Sequence, residues 1–128
     1  MTTTATLDTP ASLPLDILLV ERSACDAGSY VRNLRRRGHR VDWTPLLQEA
    51  RYFLSDFTYD VVLLDDEVRD ALSSSTKDAW SLKTECENAG WLPKRVLLMS
   101  RNGRATGPQP DYVKTLDSFV RLVELVES

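Results

Sequence analysis

The chain has 128 residues, 42% of them hydrophobic and 27% charged, which suits one compact core and is too short for two. Sixteen Lys and Arg against nineteen Asp and Glu leave a net charge of −3, which excludes a general binder of nucleic acid or anionic membrane and makes any basic surface local. Cys25 and Cys86 are too few and too scattered for a disulfide scaffold or a structural zinc site, so both are expected as buried thiols in a reducing compartment. No apolar run approaches the roughly eighteen residues of a membrane span, and the N-terminus lacks the basic start and apolar centre of a signal peptide. A cytoplasmic protein is expected.

Residues 1–14, rich in Thr with Pro10 and Pro14, offer little to bury and read as a disordered leader, with the domain running from 15 to 128. Residues 15–20 (LDILLV) form a nearly continuous aliphatic run, the pattern of a strand covered on both faces in a parallel sheet. Ala27, Tyr30, Val31 and Leu34 then recur at helical spacing, and Gly38 follows Arg35, Arg36 and Arg37 as a stop. Residues 39–44 (HRVDWT) alternate as a strand near the sheet edge, and Leu46, Leu47, Ala50, Phe53 and Leu54 mark a second helix.

A third strand, residues 59–64 (YDVVLL), stops at Asp65 and Asp66. Residues 73–76 supply capping groups, and Ala79, Leu82, Cys86 and Ala89 make the inner stripe of a third helix ended by Gly90. Residues 95–99 (RVLLM) read as a fourth strand, ending at Ser100. Residues 101–110 carry two Gly, two Pro and no apolar stripe, so the crossover helix before the short strand 111–114 (DYVK) is missing or reduced. The last segment, 116–126, places Leu116, Phe119, Val120, Val123 and Val126 on one helical face.

This alternation predicts an α/β fold, a three-layer doubly wound parallel sheet of five strands in the flavodoxin-like order 2-1-3-4-5. Loops leaving the carboxyl ends of such strands converge on one edge, bringing together Glu21, Arg22, Asp65, Asp66, Ser100, Lys114 and Thr115.

With ILLVE (17–21), RRRGHRVDW (35–43), YDVVLLD (59–65), VLLMS (96–100) and DYVK (111–114) in this order, the chain resembles the receiver domain of response regulators over nearly all of residues 15–128. In that family an acidic pair and an aspartate after the third strand hold Mg²⁺, and the aspartate takes a phosphoryl group from a histidine kinase. A Ser or Thr and a Lys bind the phosphoryl oxygens, and an aromatic on the fifth strand turns inward on activation. The resemblance makes Asp65 the phosphoacceptor-like residue, Glu21 the first acid, Ser100 the hydroxyl switch, Tyr112 the aromatic and Lys114 the phosphate-binding lysine.

The pattern departs in three places. Arg22 stands where the second acid is usual, which removes an oxygen ligand and adds repulsion, and an ion pair of Arg22 with Asp65 or Asp66 is the expected replacement for the metal. Lys114 comes one residue sooner after the aromatic than in receivers, and Thr115 takes the place of the following proline. Because direction alternates along a strand, Lys114 is expected on the other face unless a bulge restores it, with Thr115 in its place. The missing helix also removes part of the surface that receivers commonly use.

Plainer roles are weighed at each position. Asp66 reads as a turn residue, the Arg35–Arg37 run as a solvated helix end that complements the macrodipole, His39 as a surface residue, and the three tryptophans as packing residues. Leu122 and Leu125 widen the apolar face of the last helix beyond one sheet contact, so the rebuilt loop or a partner covers them, a partner being favoured. The expected function is an atypical receiver, not an enzyme. It acts through association with a copy of itself, a sensor kinase or a regulator, without nucleic acid, membrane or cofactor. No metal is expected, Glu21 and Asp65 being weak Mg²⁺ candidates. The alternative is a working receiver phosphorylated on Asp65 with Mg²⁺. More remote is a small phosphatase, since Asp65-Asp66-Glu67-Val68 faintly resembles the nucleophile motif of haloacid-dehalogenase-like enzymes.

Overall fold

Branched aliphatic residues make the centre of the sheet, and their alternation supplies a core on each side of it. The computed structural model describes residues 13–68, 79–90, 93, 95–103 and 109–128. Five strands, β1 (Asp16–Val20), β2 (Arg40–Thr44), β3 (Val61–Asp65), β4 (Arg95–Ser100) and β5 (Tyr112–Val113), pair in parallel in the order β2-β1-β3-β4-β5. Helices α1 (Ala24–Arg36), α2 (Leu47–Asp56), α3 (Ala79–Ala89) and α4 (Phe119–Glu127) complete the doubly wound fold expected from the sequence.

Every residue of β3 is buried, as a central strand covered on both sides requires. Ile17, Leu19, Val61, Leu63, Leu97 and Met99 face α1 and α4, while Leu18, Val20, Val62, Leu64 and Leu98 face α2 and α3. Ser23 caps α1 by accepting the Asp26 N–H at 3.2 Å. Gly38, with φ at +92°, turns the chain from α1 into β2, where a side chain would be strained. At the start of α2, Leu46 offers no cap, and the Thr44 hydroxyl accepts the Leu46 N–H at 3.2 Å and donates to Glu49 at 2.9 Å.

Several expectations need correction. The last helix begins at Phe119, because Ser118 caps it, and Leu116 sits before it with 81% of its surface exposed. Leu122 is fully buried and Leu125 is half-buried against the same core, so the wide apolar face of α4 is internal packing and not a surface for a partner. Phe119 stacks on Tyr30 of α1, with ring centres 5.8 Å apart, which uses the extra width. Cys86 is buried as expected, but Cys25 is exposed. No helix is found among the described residues between β4 and β5, where 104–108 are outside the description. The expected capping residues 73–76, Trp91 and the side chain of Trp80 lie outside the described residues, as does most of the expected leader.

His39 is buried, not at the surface: its Nδ1 accepts the Leu15 N–H at 3.0 Å, so the ring proton is on Nε2 and is donated to Glu127 at 2.9 Å. Arg37, buried rather than part of a solvated run, donates to both oxygens of the same carboxylate. Arg95 donates to the carbonyls of Leu125 and Val126, closing the C-terminal end of α4. Three elements distant in sequence are thus tied together at the amino edge of the sheet.

Burial pushes the Glu127 carboxyl up, but the hydrogen bonds from Arg37 and His39 outweigh it and hold the group below its ordinary value of 4.5. A carboxyl depressed by folding adds stability that is complete above the unfolded value and is lost as pH falls through the folded one. Glu127→Gln is therefore expected to cost about 1.5–3 kcal/mol in urea unfolding at pH 7, with the gap to the parent closing below about pH 4.5.

Candidate functional site

The carboxyl ends of β1, β3, β4 and β5 bring Glu21, Asp65, Ser100 and Lys114 to one edge. Alternation then decides who meets whom. Counted from Leu19 and Leu63, which face α1 and α4, Glu21 and Asp65 point to that same side. Tyr112 pairs with Met99 and packs in the same cluster, so Lys114, two residues on, shares its direction.

Lys114 is the centre of the site. Its Nζ donates to Glu21 Oε1 at 3.0 Å and Oε2 at 2.9 Å, lies 2.9 Å from Asp65 Oδ1, and is 3.5 Å from Asp26 Oδ2. The lysine side chain is 9% exposed, and those of Glu21 and Asp65 are 1% and 2% exposed, so water screens this triad poorly. Asp65 Oδ2 also accepts the Glu67 N–H at 3.2 Å. Desolvation works against the Lys114 ammonium, but hydrogen bonds to Glu21 and Asp65 prevail and hold it charged far above its ordinary range. Burial pushes the Glu21 carboxyl up, with Asp65 adding to the rise and Lys114 opposing it, so Glu21 is the group eased by acid.

The expected Arg22 pair is not formed. Arg22, in the bend that follows β1, is exposed and has no ion pair among the described residues. The cation beside Asp65 is Lys114. Nor does Thr115 take the lysine's place: it is exposed, and its hydroxyl donates to the Arg101 carbonyl at 2.8 Å.

The shortened spacing displaces the tyrosine instead. Tyr112 is 3% exposed among the residues facing α1 and α4, and its hydroxyl donates to the Asp117 carbonyl at 3.1 Å. Ser100, buried at the end of β4, follows the direction of Leu98 toward α2 and α3. The aromatic and the hydroxyl therefore lie on opposite faces of the sheet, and the switch-like pairing of Tyr112 with Ser100 is absent from this geometry. Asp66 is half-buried, and its N–H donates to the Met99 carbonyl at 2.8 Å, as a residue turning the chain out of β3 does.

Two participants went unseen in the sequence. Asp26, in the first turn of α1, adds a third carboxylate near Lys114 and approaches Arg101 at 3.8 Å. Trp43 donates from Nε1 to the Glu21 carbonyl at 2.9 Å. The place of Asp26 one turn into a helix that starts at the sheet's carboxyl edge was the available signal. As a Mg²⁺ site the arrangement fits poorly. Both innermost carboxylates already bind an ammonium, Arg22 brings no oxygen, and no group of three or more metal-ligating side chains is found among the described residues.

No family model and no curated protein sequence matches the chain. Solved structures do. Similar ones are the orphan response regulator HP1043 of H. pylori (TM-score 0.67, 20% identity, 89% of this chain and 97% of that one) and the BeF3-activated N-terminal receiver domain of Klebsiella pneumoniae RstA (0.67, 20%, 86% and 94%). The response regulator PhyR from Brucella abortus is matched at 0.70 and 12% identity over 94% of this chain, which spans about half of that protein (49%). The chain has the receiver fold. No helix among the described residues is long and apolar enough to cross a membrane.

Replacing Lys114 by Met leaves two buried carboxylates with no cation, and removing one partner of a buried ion cluster costs about 3–5 kcal/mol. That loss is expected in urea unfolding of Lys114→Met at pH 7. It should shrink as pH falls, since proton uptake by Glu21 relieves the repulsion.

Proposed function

We propose that the chain is an atypical receiver, a cytoplasmic signalling module that works by associating with a protein and not by Mg²⁺-dependent phosphorylation of Asp65. The observation that carries this is the state of Asp65. It is almost fully buried, with one oxygen against the Lys114 ammonium and the other on the Glu67 N–H, so neither is presented to a phosphoryl donor. Phosphoryl transfer rests on positioning and on cations that neutralise the transferred charge. Here the available cation is spent on the resting carboxylates, and the second acid of the receiver pattern is an exposed arginine.

The separation of Tyr112 from Ser100 supports the same reading. In receivers the hydroxyl and the aromatic act together, and residues on opposite faces of a sheet have no direct route to do so. The partner is a protein: a second copy, a sensor kinase or a regulator. No enzymatic role is proposed, since the site offers a shielded acid cluster with no nucleophile open to substrate.

The deciding experiment is intact-mass spectrometry after incubation with acetyl phosphate and Mg²⁺. The parent chain is expected to keep its mass. A stoichiometric phosphoryl adduct that disappears in Asp65→Ala would establish the phosphoacceptor reading in its place.

A further inference from the structure

The sheet has an edge at β2. Helices α1 and α2 pack on opposite faces of the sheet, so the gap between them lies along this edge. It holds a groove of about 750 Å³ whose walls include Ala27, Gly28 and Val31 of α1, Val41 and Trp43 of β2, and Phe53 of α2. Trp43 (40% exposed) lines this groove, and Tyr52 (71%) and Phe57 (53%) line a neighbouring depression that shares Phe53 with it. Clustered apolar exposure of this kind marks contact surfaces.

Basic and acidic groups lie side by side on this surface; Asp42 also lines the groove, its carboxylate accepting the Tyr59 hydroxyl at 2.7 Å. Arg32 lines the groove on α1, exposed and with no ion pair among the described residues. On α2, Glu49, Tyr52, Phe53 and Asp56 recur at helical spacing and, with Phe57, line a small depression on the side turned away from the buried Leu47, Ala50 and Leu54. One surface thus presents an apolar groove rimmed by Arg32 beside an acidic face of α2 on which Tyr52 and Phe57 are exposed. Such a patch is complementary in charge to itself under a two-fold rotation, which sets the groove of each copy against the α2 face of the other.

Two details say how it is used. Strand addition is impeded, because the Arg35 guanidinium donates to the Val41 carbonyl at 2.9 Å and occupies an acceptor of the edge. Side chains, not a strand, are what the groove admits. Gly28 sits inside α1, where glycine weakens a helix, yet a Cβ there meets nothing within 4 Å. Internal packing gives no reason for it, whereas a bare backbone widens the groove for an incoming ring.

We propose that this face is the contact between two copies of the chain, with Tyr52 and Phe57 of each entering the other's groove and Glu49 and Asp56 facing Arg32. The inference rests on the reading that the protein acts by association, and it names the surface and the partner.

The test is sedimentation velocity of the whole chain from low micromolar to near-millimolar concentration, with phosphorylation followed separately by mass. A concentration-dependent dimer is expected. Gly28→Leu, which fills open space without disturbing the core, and Tyr52→Arg are each expected to weaken it by about tenfold or more in Kd. Arg32→Glu and the double variant Glu49→Lys with Asp56→Lys should each dissociate it, and mixing the two should restore a heterodimer, because both contacts regain opposite charges. A chain that stays monomeric throughout, whatever other protein then fills the groove, overturns the proposal. So does a dimer indifferent to all these variants. Neither result touches the phosphorylation reading, which fails only if an Asp65 adduct forms.

Discussion

One ammonium holds the carboxyl edge of this domain together. Lys114 lies within hydrogen-bond distance of two carboxylates that the parallel sheet forces to the same side, Glu21 from β1 and Asp65 from β3. At such distances and an effective dielectric near 20, each attraction is worth about 6 kcal/mol before desolvation, and without it the two acids repel in a place with little water. The sheet order makes a cation compulsory there, since it sets the ends of β1 and β3 side by side. This chain answers the charge with Lys114, while Arg22, where a further acid is usual in receivers, is exposed and adds no oxygen. The consequence is a buried acid pair whose charge is balanced from within the chain.

Much of the architecture was legible in the sequence. The aliphatic runs that became β1, β3 and β4 are buried on both faces, and such runs have few alternatives in a chain of this length. Gly38 and Gly90, both with positive φ, mark the ends of α1 and α3 where the residue types placed them. The residues at the carboxyl edge were legible too, since topology alone delivers Glu21, Asp65, Ser100 and Lys114 to it. What local pattern could not supply was the pairing. Alternation gives the relative direction of Tyr112 and Lys114, but the absolute face is set by the register of β5 on β4, where Tyr112 lies opposite Met99. His39 was misplaced for a related reason: its partners Leu15 and Glu127 belong to distant segments, and the single histidine of an edge strand gives no local sign of them.

The displaced tyrosine gives the domain a different internal logic from the family it resembles. With Tyr112 packed on the side of α1 and α4, its hydroxyl is committed to the Asp117 carbonyl, and Asp117 in turn accepts the Val113 N–H at 2.8 Å. The aromatic has become a brace for the turn between β5 and α4. A residue so committed cannot swing between two positions without breaking a hydrogen bond and opening a void, each costing about 1 kcal/mol or more.

These changes bear on where such a domain can meet a partner. At the β5 edge the strand is only two residues long, no described helix precedes it, and its aromatic is turned inward. At the opposite edge, β2 keeps five residues and both flanking helices, and the exposed aromatics gather there. Trp43 stands between this edge and the acid cluster, since its indole is held by the carbonyl of the same Glu21 whose carboxylate binds Lys114. Glu21 thus serves both places, its carboxylate in the acid cluster and its carbonyl at the rim of the groove.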